Sequence, residues 1–203
     1  ETNGMRDVAK SLPMEKDTIF RLYSQTKPVT GAAVMMLFEE GHFLLSDPIA
    51  KYLPEFKDMV VYVGTKDGKM QTEPARPITI HHLLTHTSGM TYSLFPTPVG
   101  QLYRDAFIDG SSAPIIQTDP QTGKLSVLSD EDDPERHGTL KEWSETAAKL
   151  PLVAQPGTEW HYSVSIDVLG RLIEVISGQT YRDFMKSRLF DPLGMSETDF
   201  YVP

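Results

Sequence analysis

Several stretches of the chain carry apolar residues at helical spacing, and little of it alternates as strands do. Between Thr18 and Glu40, residues Ala33, Val34, Leu37 and Phe38 recur three and four apart, and Gly41 is placed to end the helix. Asp47-Pro48-Ile49-Ala50 opens a short second helix that Pro54 stops. Val60 to Val63 and the segment around Met70 flank Lys66-Asp67-Gly68-Lys69, an Asp-Gly turn signal that predicts a small hairpin. Thr79 caps a helix through Leu84 that closes at Ser88-Gly89. From Phe95 to Asp133 the chain is rich in Pro, Gly, Ser and Asp, which predicts a long loop over a pocket with one helix near Gln101 to Phe107. Thr139 caps a helix through Leu150. Asp167 to Ser177 forms another, closed by Gly178, and Tyr181 to Leu189 gives a last one before Asp191-Pro192-Leu193-Gly194.

Length and composition narrow the classes. The 203 residues suit one domain or one and a half. With 39% hydrophobic and 23% charged residues the chain reads as an ordinary globular protein. The longest apolar run, Ala32 to Phe38, is far too short to span a bilayer. A net charge of -9 argues against a nucleic-acid partner, which calls for a basic footprint. The chain opens on the polar stretch Glu1-Thr2-Asn3-Gly4, so no signal peptide is visible. Cysteine is absent, which excludes thiol catalysis, disulfides and cysteine-ligated metals, and fits any redox compartment.

The candidate chemistry starts at Ser24-Gln25-Thr26-Lys27, a Ser-x-x-Lys motif. Residues three apart on a helix share a face, so the Lys amine can reach the Ser hydroxyl. A serine hydroxyl is a poor nucleophile until a neighbouring base takes its proton. Lys27 serves as that base only if its pKa falls well below the usual ~10.4, through burial or nearby positive charge. A place on the first helical turn would also lend Ser24 the positive end of the helix dipole. Alone the motif is weak. With 15 Ser and 11 Lys in 203 residues, chance gives about 0.8 such spacings, and a capping Ser beside a solvated Lys explains it equally well.

The context changes those odds. Asp17-Thr18-Ile19-Phe20-Arg21 leads into the motif, and Pro28-Val29-Thr30, Leu37 to Gly41 and Leu45-Ser46-Asp47-Pro48 follow. Then come Ile78-Thr79-Ile80, Leu83-Leu84-Thr85-His86-Thr87-Ser88-Gly89, Gln155-Pro156-Gly157-Thr158, Tyr162-Ser163 and Pro192-Leu193-Gly194-Met195. As an ordered set from about Arg6 to Pro203 these resemble the serine β-lactamase and penicillin-binding-protein family. Its members include class C β-lactamases, D-alanyl peptidases, family VIII carboxylesterases and some acyltransferases.

The resemblance implies an α+β fold and a proton-transfer role for Tyr162, which matches the family's Tyr-x-Asn element after a Pro-Gly turn. Val164 stands where that Asn would be. Because the family Asn contacts a lactam amide, Val164 points away from lactam turnover and toward the family VIII esterases. Tyr92 follows the Thr87-Ser88-Gly89 turn, which lines the acyl pocket in the family; packing is the equally weighted alternative. The Lys-Thr-Gly or His-x-Gly strand is absent, since Gln121-Thr122-Gly123 stands in the wrong order. The two strands that precede Asp17 in the family are also missing. Residues 1–203 are therefore expected to be the central portion of one β-lactamase-like domain: the catalytic helix, the helical lobe, a small hairpin, and little of the main sheet. The family oxyanion hole uses the Ser24 N–H and a second one from the missing strand, so further segments of the enzyme are expected to be needed for activity.

The implied function is a carboxylesterase: Ser24 attacks a small ester, and Lys27 and Tyr162 move the proton, with no cofactor or metal. Alternatives of the same family are a β-lactamase or D-alanyl peptidase, and an acyltransferase. Outside enzymes, a non-catalytic acyl-binding module or an inert fragment remains. Other residues read more plainly. His82 and His86, four apart, lack the Glu of a His-Glu-x-x-His zinc site and read as structural. No Gly-x-Ser-x-Gly elbow occurs, which excludes the α/β-hydrolase route. The acidic cluster Asp130 to Asp133 lacks EF-hand spacing and reads as solvated loop.

Overall fold

The helical pattern expected from Thr18 becomes regular only at Thr26. In this computed structural model, which describes residues 1–106, 108, 115–118, 125–128 and 138–200, helix α1 spans Thr26–Glu39. Upstream, Tyr23 has φ 47°, in the left-handed region that interrupts a helix, and Tyr23–Gln25 makes a single 3-10 turn. Ile19, Phe20 and Leu22 before it stay exposed, so no buried face draws them into regular helix. Earlier still, β1 (Met5–Asp7) and β2 (Leu12–Pro13) pair as a short antiparallel ribbon. The buried stripe of α1 is Thr30, Ala33, Val34 and Leu37, which repeats the sequence spacing. Gly41, at φ 82°, ends the helix while the His42 N–H donates to the Leu37 carbonyl.

The helix expected at Asp47 to Ala50 is instead a pair of 3-10 turns, Ile49–Lys51 and Pro54–Phe56. The run between the two prolines is too short for an α-helical repeat to propagate. The hairpin forms as expected: β3 (Val60–Lys66) and β4 (Lys69–Pro74) pair antiparallel, with Lys66 opposite Lys69. Asp67 and Gly68 both take positive φ (51° and 72°), as a type I′ turn demands.

Helix α2 (Ile80–Leu84) starts at a reciprocal capping box between Thr79 and His82. Helix α3 (Pro98–Asp105) is the helix expected near Gln101, and the expectation's last residue, Phe107, lies outside the described residues. Within the stretch expected to be loop, β5 (Ile115–Thr118) and β6 (Leu125–Leu128) pair antiparallel. The turn residues around both strands hid a hairpin there. Gln121 to Gly123 and Asp130 to Asp133 lie outside the described residues.

Helix α4 (Leu140–Ala147) has a second capping box, Thr139 with Glu142. Helix α5 (Ser165–Ser177) is the centre of the molecule and buries Ile166, Val168, Leu169, Leu172 and Ile173. It packs against α1, α2, α4 and α6 (Tyr181–Met185), which runs on into a π-helical turn, Lys186–Phe190. Among the described residues the strands form three separate two-stranded sheets, so the helical lobe dominates as the sequence predicts.

Candidate active site

Two loops meet above the start of α1. The first, residues 86–91, leaves α2; the second, residues 153–164, leads into α5. Four backbone bonds lace them, all donated by the second loop: Val153 to Gly89 (2.7 Å), Gly157 to Thr87 (2.7 Å), His161 to His86 (2.8 Å) and Val164 to Thr91 (3.4 Å). The lacing needs Gly89. Its φ is 82°, and a Cβ there would lie 2.1 Å from the Ala154 carbonyl oxygen, well inside contact distance. The second loop is also anchored to the hairpin, with Leu152 and β3 exchanging backbone bonds of 2.8 Å at Val60 and Tyr62.

The lacing delivers Tyr162 to Ser24, although 138 positions separate them: the phenol donates to Ser24 Oγ at 2.7 Å. Lys27 Nζ donates to the same oxygen at 3.3 Å. Ser24 sits in the 3-10 turn just before α1, where the helix dipole favours negative charge. Lys27 Nζ also lies 5.0 Å from the centre of the Tyr162 ring and 5.5 Å from that of Tyr92. The Tyr92 and Tyr162 rings are 5.3 Å apart. Residues distant in sequence thus converge on one hydroxyl.

The electrostatics differ from the expectation for Lys27. Burial pulls its pKa down, but the Tyr92 and Tyr162 hydroxyls pull it up by more, and the net shift is upward. Tyr162 moves the opposite way: burial raises it, but its bonds with Ser24 and Lys27 and the Lys27 charge outweigh this, and the net shift is downward. A cation next to a phenol explains both directions, since it favours phenolate beside ammonium. Of the two groups, Tyr162 is the one whose deprotonated form is favoured.

Tyr92 is driven upward, first by burial and then by the Asp167 carboxylate, so it stays a neutral phenol beside Lys27. Val164 also departs from its expected place. It is 1% exposed, at the N-cap of α5, with its side chain in the hydrophobic core rather than on the cleft. An apolar residue at the entry to a buried helix packs inward. His82 and His86 do not converge: the His82 Nδ1 accepts the Thr79 N–H (3.2 Å) in the capping box. Among the described residues no group of three metal-ligating side chains assembles. A cavity of about 290 Å³ opens on the α1–α5 side of Lys27, lined by Tyr23, Thr30, Asp167, Tyr181 and Phe200 among others.

Pattern reading missed what surrounds Tyr162. The His86 ring centre lies 5.0 Å and the Trp160 ring centre 6.3 Å from that of Tyr162. Behind them runs a buried serine chain, Ser88 to Ser165 at 2.6 Å and Ser165 to Ser163 at 2.7 Å. The sequence signal was available: Ser163 and Ser165 alternate with apolar residues at the mouth of a buried helix, where a hydroxyl needs a partner.

The family model for Beta-lactamase matches residues 1–203. The chain belongs to the beta-lactamase family. Esterase EstB from Burkholderia gladioli is 34% identical over 198 residues, which cover 97% of this chain and 42% of that protein. Protein Rv1367c from Mycobacterium tuberculosis is 36% identical over 202 residues, covering 98% of this chain and 43% of that protein. Among solved structures, EstCE1, described as a hydrolase with promiscuous acyltransferase activity, superposes with a TM-score of 0.71 at 30% identity. That match covers 98% of this chain and 44% of EstCE1. The fold is that of β-lactamases and penicillin-binding proteins, as the sequence resemblance implied. This beta-lactamase-family chain spans about two fifths of the length of these relatives. Esterases are among its relatives, and none of the described helices is long and apolar enough to cross a membrane.

Proposed function

We propose that the protein is a serine carboxylesterase in which Ser24 is the nucleophile, Tyr162 the base and Lys27 the cation that favours the phenolate. The observation that carries this is the Tyr162–Ser24 contact of 2.7 Å with Lys27 on the same oxygen. In the reactive state Ser24 Oγ–H gives its proton to the Tyr162 oxygen as Oγ bonds to the ester carbonyl carbon. The tetrahedral oxyanion lies near the start of α1, whose dipole favours it. As the carbonyl re-forms, the C–O bond to the alcohol breaks and the departing oxygen takes the proton from Tyr162. Water then gives a proton to Tyr162 and adds to the acyl carbon. The acid leaves, and the proton returns to Ser24.

Esters are favoured over lactams because esterases stand among the similar proteins. A second reading, transfer of the acyl group to an alcohol, is favoured by the acyltransferase activity in the description of EstCE1. The test is a side-by-side assay of the full-length gene product on a short p-nitrophenyl ester, a chromogenic cephalosporin, and the ester with a competing alcohol. Ester turnover with little cephalosporin turnover supports the esterase. Preferential cephalosporin turnover refutes it, and an acyl ester product in place of the free acid selects the second reading.

A further inference from the structure

His86 occupies a backbone conformation that its side chain makes costly. Its φ is 54°, in the left-handed region, where a β-carbon is disfavoured and glycine would be the relaxed choice. Strain of this kind persists only where the surroundings enforce it, and here they enforce it from three sides. The His86 carbonyl accepts the His161 N–H at 2.8 Å. Its Nδ1 lies 3.3 Å from the Ser163 N–H, which donates to it, and 3.2 Å from Ser163 Oγ. Its ring rests on Tyr162, 5.0 Å between centres. His86 therefore holds the residues on both sides of Tyr162, His161 through its carbonyl and Ser163 through its ring, and its ring also rests on that of Tyr162.

The acceptor role fixes the protonation state. A backbone N–H can donate only to an unprotonated Nδ1, so the structure requires neutral His86 with its proton on Nε2. Ser163 in turn passes the link inward, through Ser165 to Ser88, all three fully buried. The bond from His86 thus ties the Tyr162 loop to the entry of α5 and to the turn after α2.

We propose that His86 is a positioning residue for Tyr162, whose neutral imidazole holds the phenol on Ser24 and whose protonation releases it. This rests on the reading of Ser24 and Tyr162 given above. The groups facing His86 act in one direction. Burial first, and then the Lys27 ammonium on α1, hold its pKa below the ordinary histidine value. Tyr162 and Trp160 face it from the second loop, and His82 on α2 turns its ring toward Thr79 and Gly157 instead. Asp167 on α5 acts on Tyr92 and Tyr162. Neutral His86 is accordingly the resting state at neutral pH, and an acid limb in activity marks its loss.

Two variants separate positioning from packing. His86→Phe keeps a ring against Tyr162 but removes the acceptor. His86→Asn tolerates the left-handed backbone and offers Oδ1 near the Nδ1 position, an acceptor that does not titrate. Turnover of a p-nitrophenyl ester by the full-length gene product would be followed from about pH 5 to 9, a range that spans the ordinary histidine pKa, with thermal melts as the check on folding. His86→Phe should lower kcat by about 100-fold with KM little changed, the usual cost of a small misplacement. His86→Asn should keep kcat within a few-fold at neutral pH and lose the acid limb. An acid limb unchanged in His86→Asn overturns the proposal even if His86→Phe fails to fold. So does wild-type kcat in a folded His86→Phe. Ser24→Ala and Tyr162→Phe run in parallel: if they stay active, the underlying esterase reading fails and the proposal with it. If they are inactive while both His86 variants behave as wild type, the positioning role alone is overturned.

Discussion

Replacing Tyr162 with phenylalanine deletes one oxygen and leaves the ring among His86, Tyr92 and Trp160, whose ring centres lie 5.0, 5.3 and 6.3 Å away. The packing term is conserved, so the fold should survive: the lost bond runs to an exposed Ser24 and is worth about 0.5–1.5 kcal/mol. The effect on rate should be much larger. The oxygen at 2.7 Å is the group best placed to take the Ser24 proton, and Lys27, with its pKa raised, keeps its own proton. General base catalysis contributes about 10²–10⁴-fold, or roughly 3–5 kcal/mol of barrier at 1.36 kcal/mol per decade. The assay is kcat for p-nitrophenyl ester hydrolysis by the full-length gene product, with the melting temperature measured on the same preparation. Because Tyr162 is shifted downward, wild-type turnover should also rise with pH on the alkaline side, and Tyr162→Phe should flatten that rise. A loss below about tenfold in a folded Tyr162→Phe protein, with the alkaline rise intact, refutes the assignment of the base.

Val164→Asn should destabilise the fold by about 1–3 kcal/mol, since it buries an amide without a provided partner; denaturant midpoints measure this. It should bring no gain in cephalosporin turnover, because the side chain points into the core. Histidine titration should destabilise the protein in mild acid. His82, His86 and His161 are each held below the ordinary value, first by burial, so the unfolded chain binds protons before the folded one. Stability should be complete above about pH 6.5 and fall as pH drops through and below it. Asp47 and Asp199, held down to about 2, keep their ion pairs across that window. Melting temperatures that stay level or rise between about pH 7 and 5 contradict the sign.

What the sequence disclosed tracks how local the signal was. The capping residues Thr79 and Thr139, the stop at Gly178 and the Asp67-Gly68 turn each specify their own neighbourhood, and the structure follows them. The helix starts later than expected because Ile19, Phe20 and Leu22 stay exposed and the left-handed Tyr23 interrupts the run, neither of which the apolar spacing from Ala33 to Phe38 could disclose. The hairpin of β5 and β6 was hidden by turn residues on every side. At the site, spacing alone places Lys27 beside Ser24, but the approach of Tyr162 was legible only through family resemblance. The role of His86 was not legible at all, because both its backbone strain and its bond to the Tyr162 loop arise from tertiary contact. Val164 failed as a cleft residue for a related reason. A sequence position aligned with a substrate contact says nothing of which way the helix entry turns the side chain.

The central claim is that an acyl group rests on Ser24 during turnover. The direct measurement is acid-quenched mass spectrometry of the full-length gene product mixed with a short p-nitrophenyl ester, with peptide mapping of the adduct. The account predicts one acyl group on the peptide carrying Ser24-Gln25-Thr26-Lys27, located on Ser24 and absent from Ser24→Ala. An adduct on another residue, or undiminished acylation of Ser24→Ala, would contradict it.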